Sequence, residues 1–333
     1  MKTHSIIPIF LPEYGCPKQC VFCNQKHISG TIKIPDADEI NEIIETHLAT
    51  LLNTNRKIEL AFFGGSFTAL DIDIQEKYLK IAEPYLLNNN IGNIRISTRP
   101  DKINDENLLL LKKYGVKIIE LGVQSLNKEV LKLSGRGYEP EIVYEAAEKI
   151  LKHNFHLGMQ MMIGLPGDTK EKSVFTAKEI IRCGAKSSRI YPLLVIKDTP
   201  LAQQYVENKY KPLSIEEAIE LSADILELFI KENIEVYKIG LHPSDFLHNG
   251  TFLAGPWLPN FRQHVQARVW LRKFEKEIAN NENIKGFFVN KSDLNSAIGP
   301  NKKNIIYFKN KNIPIKISES PDVKKGEYDA VYY

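Results

Sequence analysis

No stretch of this chain approaches the roughly 20 consecutive apolar residues that a membrane-spanning helix needs, although hydrophobic residues make up 43% of it. Those residues are dispersed, as in a globular core. Cysteine is scarce, with four in 333 residues, and three of the four fall within eight positions. That distribution suits metal ligation in a reducing compartment better than a disulfide framework. Charge of one sign is not in excess either: a net +3 is ordinary for a soluble domain and does not by itself argue for nucleic acid. An internal repeat of fixed period and a low-complexity linker are also lacking. The apolar run 5–11 ends at Pro12 and is too short for a signal peptide's apolar region with its cleavage site. A cytoplasmic location without a membrane partner is expected.

What the chain does have, up to about residue 240, is alternation. Runs rich in Ile, Val, Phe or Leu at 6–11, 58–63, 93–98, 117–123, 156–163 and 189–196 read as strands, and 236–240 reads as a seventh at an edge. Between them, Ile40, Ile43, Ile44, Leu48, Leu51 and Leu52 recur at helical spacing behind Asp36 and Asp38, either of which can cap a helix. Similar patterns cover 75–87, 104–114, 139–152, 170–183 and 215–231. Repeated β-α units predict an α/β fold with a parallel sheet curled into a partial (β/α)6 TIM-like barrel, with its chemistry in the loops after the strands. After about residue 245 the sequence changes to Pro/Gly-punctuated aromatic and basic segments, a helix near 262–279 and short strands at 286–290, 305–309 and 313–317. The division expected is a core barrel over 1–240 and a small C-terminal extension over 241–333 that serves substrate binding.

The cysteines lie directly after the first strand, in Gly15-Cys16-Pro17-Lys18-Gln19-Cys20-Val21-Phe22-Cys23, with spacing C-x3-C-x2-C. Three thiolates on so short a loop can converge on one metal centre. A [4Fe–4S] cluster takes four cysteines, so Cys16, Cys20 and Cys23 would leave one iron open to a small molecule. S-adenosyl-L-methionine chelates such an iron through its amino and carboxylate groups, and a low-potential electron splits it to a 5′-deoxyadenosyl radical. A structural zinc site is the alternative, since Cys16, Cys20, Cys23 and His27 make a Cys3His set.

Other strand ends carry polar and glycine-rich segments. Gly64-Gly65-Ser66 follows the second strand, where glycines let a ligand reach the backbone, though such a pair is also an ordinary turn. Gln124 lies in Leu121-Gly122-Val123-Gln124-Ser125 at the end of the fourth strand, and Arg136 follows in Ser134-Gly135-Arg136. An amide and a guanidinium here suit ribose hydroxyls and a carboxylate. Together with Ser97-Thr98-Arg99-Pro100-Asp101 and Ile190-Tyr191-Pro192-Leu193-Leu194-Val195, these segments stand in the order found in a known group. From about residue 5 to 240 the chain resembles the radical S-adenosylmethionine superfamily, and within it the radical domain of the Elongator catalytic subunit and its bacterial relatives.

The resemblance implies that Gly64, Gly65 and Ser66 hold the methionyl amino group, Gln124 the ribose and Arg136 the carboxylate, with Phe22 beside the adenine. It also implies an electron donor such as a ferredoxin or flavodoxin. Ser97 stands where many relatives have a glutamate, and Gln160 where coproporphyrinogen oxidases have an aspartate. Residues 241–333 do not read as Elongator's acetyltransferase domain, so acetyl transfer by this chain alone is not expected. Tyr191 and Lys238 are the candidate catalytic, substrate-facing groups.

For the substrate, the Elongator likeness points to tRNA and wobble-uridine modification. Seven lysines (302, 303, 309, 311, 316, 324 and 325) face Glu319 and Asp322 over 302–325, a local net of +5, which suits RNA although a solvated face reads the same way. The other readings are an enzyme acting on a small, porphyrin-type molecule and a non-catalytic Cys3His module. Cys183 before Gly184, and Met159 and Met161 on a strand, read as packing residues. Phe261, Val265 and Val269 share one helical face near the basic, aromatic segment 255–264, so packing accounts for part of that segment.

Overall fold

Side chains alternate across each strand of the main sheet, and the two faces differ in kind. The computed structural model describes residues 4–11, 16, 20–24, 35–51, 56–241, 250–281 and 283–333. Pro12, His27, Leu52 and the loop residues Gly15, Pro17, Lys18 and Gln19 lie outside the described residues. The strands are β1 (His4–Leu11), β2 (Lys57–Gly64), β3 (Asn93–Thr98), β4 (Val116–Gln124), β5 (His156–Ile163), β6 (Ser187–Pro192), the short β7 (Val195–Ile196) and β8 (Glu235–Ile239). Seven of them form one parallel sheet in the order β1-β2-β3-β4-β5-β6-β8, a curled half-barrel with helical crossovers. The expected partial barrel is therefore present, with the seventh strand at its edge. Beyond β8, Arg262 Nη1 donates to the carbonyls of Val236 and Tyr237 at 2.8 and 2.9 Å, so a side chain meets that edge.

The convex face is apolar. Ile7, Ile9, Leu60, Phe62, Ile94, Ile96, Ile119, Leu121, Leu157, Met159, Met161 and Ile190 are all buried against the helices, as expected for strands covered by crossovers. The first helix, Ala37–Leu51, contributes Ile40, Ile44 and Leu48. Of its two candidate caps, Asp36 is the one used: its Oδ1 accepts from Glu39 N and its own N–H donates to Glu39 Oε2. Asp38 sits in the first turn.

The concave face carries charge where a barrel interior is normally filled by branched apolar side chains. Arg95, fully buried, donates to Glu59 Oε2 from Nε (3.0 Å) and Nη2 (2.6 Å) and also to Glu120. Arg189 grips Glu120 from the other side with Nε at 2.7 Å and Nη2 at 3.1 Å. Gly158 leaves room for this carboxylate, since a Cβ there would stand 3.1 Å from Glu120 Cγ. Each buried charge thus has an opposite partner, the condition under which an interior tolerates it.

The later part of the chain departs from several expectations. The run 189–196 breaks after Pro192: β7 leaves the main sheet and pairs antiparallel with β9 (Phe252–Ala254), and helix Pro200–Val206 follows. Helix Phe261–Asn280 buries Phe261, Val265 and Val269 in the main core, as their spacing indicates, and Trp270, Leu271 and Phe274 in a second cluster. That cluster is covered by a three-stranded sheet of β10 (Ile284–Val289), β11 (Lys316–Glu319) and β12 (Tyr328–Tyr332) in the order β11-β10-β12.

The segment 305–309, expected as a strand, is instead part of helix Lys303–Asn310. Its β-branched residues favour a strand, but Asn304 Nδ2 donates to the carbonyls of Ala267 and Ala297 at 2.9 Å each. Phe308, four residues on, is buried in the second cluster, while Ile306 stays 50% exposed. Anchors spaced by four select a helix. The strand expected at 313–317 is displaced to β11, and β12 was not anticipated.

Candidate metal and cofactor site

The cysteine segment is anchored by backbone bonds to two helices. Val21 N donates to Ser134 O at 3.2 Å, at the end of helix Lys128–Leu133, and Val21 O accepts from Leu201 N at 2.8 Å, at the start of helix Pro200–Val206. Cys23 N donates to Cys20 O at 3.0 Å, closing a turn. Cys20 is buried, whereas Cys16 and Cys23 are half-exposed. Phe22 packs on the small apolar cluster that holds Val130, Leu165, Leu193 and Leu201.

Arg136 meets the buried cysteine. Its Nη1 donates to Cys20 Sγ at 3.1 Å, its Nε and Nη2 donate to Tyr138 Oη at 3.0 and 2.8 Å, and Nη2 also donates to Gly122 O. Burial opposes the charge, and the Tyr138 oxygen and Cys20 sulfur, each an anion only when deprotonated, favour it. Arg99 lies alongside: Nη2 donates to Arg136 O at 2.7 Å, and Asp101 takes its Nε and Nη2 at 2.8 and 3.1 Å.

The remaining strand ends converge on the same side. Gln124 closes β4 with φ +69°, a left-handed value uncommon outside glycine and frequent at functional sites. Its Oε1 accepts from Gln160 Nε2 at 3.3 Å, and Gly122 makes room for it, because a Cβ on Gly122 would stand 3.2 Å from Gln124 Nε2. At the end of β2, Gly65 N donates to Leu11 O at 3.1 Å. Gly64 has φ +112°, and a Cβ on it would come within 1.9 Å of Leu11 O. The close neighbour that requires glycine at 64 is therefore the backbone of β1, not a ligand as the sequence suggests. Ser66 Oγ is committed internally, hydrogen-bonded with Thr98 Oγ1 at 2.8 Å and accepting from Arg99 N at 3.0 Å. On the concave face, Tyr191 Oη accepts from Arg189 Nη1 at 3.4 Å. Burial raises the Tyr191 pKa against the pull of Arg189. Lys238 stands opposite Arg189 in register.

A cluster and its nucleotide can be tested against this geometry. Among the described residues no three His, Cys, Asp or Glu side chains gather into a group that could hold a metal ion, so the fit rests on donor chemistry and charge. Arg136 is 5% exposed, and its partners are a phenol, a carbonyl and a sulfur, with no carboxylate among the described residues. A buried cation without an anion is costly, and Cys20 as a metal-bound thiolate, or a ligand carboxylate, supplies the missing charge. Two further buried polar atoms here, Arg99 Nη1 and Ser134 Oγ, have no partner among the described residues. These observations fit an anionic group beside Cys20.

Sequence reasoning did not assign Tyr138, nor a role for Arg99, nor the Glu59–Arg95–Glu120–Arg189 set. The last had a readable signal, namely charged residues at the centres of strands that are otherwise apolar. Cys183 is half-buried, and burial pushes its thiol up to about 11, which accords with a packing role.

The pattern of the Radical SAM superfamily matches residues 11–180, and that of the Radical_SAM C-terminal domain matches residues 185–271. A tRNA uridine(34) acetyltransferase of Methanocaldococcus infernus is 31% identical over 188 residues, covering 50% of this chain and 35% of its own. The heme chaperone HemW of Buchnera aphidicola is 24% identical over 224 residues, covering 66% and 59% respectively. The chain thus spans less than two thirds of either relative. The solved structure of the archaeal Methanocaldococcus infernus Elp3 with its N-terminus deleted aligns over 83% of this chain and 64% of its own, at a TM-score of 0.66 and 22% identity, a likeness of fold. With the half-barrel, the cysteine loop after β1 and a family match over more than half its length, the chain belongs to the radical SAM superfamily.

Proposed function

We propose that this chain is a radical S-adenosylmethionine enzyme in which Cys16, Cys20 and Cys23 hold a [4Fe–4S] cluster. The buried guanidinium of Arg136 against Cys20 Sγ, with no carboxylate partner among the described residues, is the observation that carries this reading. A [4Fe–4S] cluster held by these cysteines would supply one-electron reduction of S-adenosyl-L-methionine, the chemistry that gives a 5′-deoxyadenosyl radical able to abstract hydrogen from a substrate. The chain's own groups bind and orient. The backbone of Gly64, Gly65 and Ser66 offers carbonyls to the methionyl ammonium, since the Ser66 hydroxyl is already committed. Gln124, paired with Gln160, would hold the ribose, Arg136 would bind the carboxylate, and Phe22 would pack on the adenine.

Residues 1–240 carry the radical chemistry in this reading, and 241–333 contribute to holding the substrate. Tyr191 and Lys238, on the concave face and at its edge strand, are the groups placed toward it. The substrate proposed is tRNA, modified at the wobble uridine, supported by the tRNA-modifying relative and by the lysines of 302–325. A ferredoxin- or flavodoxin-like carrier supplies the electron. Among the described residues no helix is long and apolar enough to cross a membrane.

Anaerobic reconstitution tests the core of the reading. Wild-type protein should take up about four irons with matching sulfide and release 5′-deoxyadenosine on addition of dithionite and S-adenosylmethionine. Cys20→Ala should lose both properties and Cys183→Ala neither. Tight zinc binding without cleavage would instead support a Cys3His module that includes His27.

A further inference from the structure

Arg136 is held more firmly than a carboxylate ligand alone would demand. Tyr138 Oη accepts from its Nε and Nη2 while lying 3.2 Å from the carbonyls of Gly122 and Val123, to either of which its proton can be given. That ties the guanidinium to the irregular end of β4, where the pairing with β5 shifts register between Gly122 and Gln124. Arg99 adds a second brace. Its guanidinium carbon stands 5.3 Å from the centre of the Tyr138 ring, its Nη2 holds the Arg136 carbonyl, and Asp101 fixes it with a two-pronged ion pair. The Ser97–Asp101 motif thereby acquires a use that the nucleotide contacts do not give it. The whole assembly directs one N–H of Arg136 at the sulfur of Cys20.

We infer that Arg136, positioned by Tyr138 and by the Arg99–Asp101 pair, raises the reduction potential of the centre bound by Cys20. This rests on the radical-enzyme reading above and assigns a regulator of the same site. The physical basis is general: a hydrogen bond and a positive charge at a ligand sulfur stabilise the reduced state, which carries one more electron, and so shift the potential upward. Burial strengthens the effect, because little water lies between charge and sulfur to screen it. Tyr138 and Arg99 are positioning residues that act through Arg136.

The test is a spectroscopically monitored redox titration of the reconstituted protein, carried out without S-adenosylmethionine so that carboxylate binding cannot contribute. Wild-type, Arg136→Gln, Arg136→Lys and Tyr138→Phe proteins are compared after iron and sulfide analysis. The Arg136→Gln midpoint should fall by at least about 59 mV, a tenfold change in the one-electron equilibrium. Tyr138→Phe should move the same way by less, and Arg136→Lys, which keeps the charge, should stay nearer wild type.

A cluster-replete Arg136→Gln protein with the wild-type potential and weakened S-adenosylmethionine binding would overturn the inference, leaving Arg136 a carboxylate ligand only. If Arg136→Gln loses its cluster, a replete Tyr138→Phe protein that titrates as wild type overturns it equally. Failure of the wild-type protein to take up iron and sulfide would defeat the radical-enzyme reading itself. Unmoved potentials in replete variants would defeat this inference alone.

Discussion

A methyl group on Gly64 would stand 1.9 Å from the Leu11 carbonyl, and the residue's φ of +112° is one that side chains rarely adopt. Backbone cannot swing aside as a flexible side chain can, so β1 and β2 would have to separate at the end that leads into the cysteine loop. Gly64→Ala should destabilise the protein by about 2 kcal/mol or more, the cost of a strained backbone plus the displaced strand, seen as a lowered thermal midpoint together with reduced iron uptake. A variant that melts and loads as wild type would mean that β1 shifts at no cost.

At this scale the candidates were legible as candidates. Cys16, Cys20 and Cys23 stand out by spacing, and Gln124 and Arg136 by their place after a strand together with the family resemblance. What spacing could not reveal is which partner each side chain meets. The Ser66 hydroxyl turns inward to Thr98, and the guanidinium of Arg136 reaches a cysteine 116 positions earlier in the chain. Contacts across such distances depend on the curl of the sheet, which no local window contains.

The strands and helices of the half-barrel were readable because their apolar positions repeat at regular periods. Helix Lys303–Asn310 was not, since tertiary anchors at Asn304 and Phe308 override the preference of its isoleucines. The concave face of the sheet has a consequence for pH. His156 on β5 lies 2.9 Å from Ser187 Oγ, and its pKa is lowered by burial first and by Arg95 second, against the weaker pull of Glu235, Glu59 and Glu120. Burial pushes the Glu59 carboxyl up, but Arg95, Asn93 and His4 together hold it below its ordinary value.

Both shifts have the same sign in their effect on folding. Below the unfolded His value of 6.5 the unfolded chain binds a proton that folded His156 refuses, and below 4.5 the same holds for Glu59. The stabilisation is therefore complete above these values and is lost as pH falls through the folded ones. Thermal melts from pH 7.5 to 5 should show a falling midpoint, and His156→Gln should flatten the part of the curve that begins near 6.5. An unchanged slope in that variant would assign the acid sensitivity to other groups.

Taken whole, the molecule joins a half-barrel that bears the candidate cysteine site to a lysine-bearing C-terminal part. Lys303 and Lys311 already pair with Glu216 and Glu275 at 3.7 and 3.2 Å, so the informative charge reversals are at the exposed Lys302, Lys309 and Lys316. If these lysines neutralise phosphates, the triple reversal should weaken tRNA binding and reduce the slope of log affinity against log salt by about 1 for each phosphate left without its lysine. Unchanged affinity at low salt would remove this surface from the RNA reading and favour a small substrate.

The half-barrel bears on the same choice. Its order runs from β1 to β8 with no ladder joining the two among the described residues, and the outer edge of β8 is met by the side chain of Arg262. A closed tube can be loaded only through its ends, whereas a sheet curled part of the way round has a seam along its length. For a substrate that is one link of a polymer, a seam removes the need to thread. In the reading of a polymeric substrate, the link would be laid in from the side and lifted out again with both neighbours still attached.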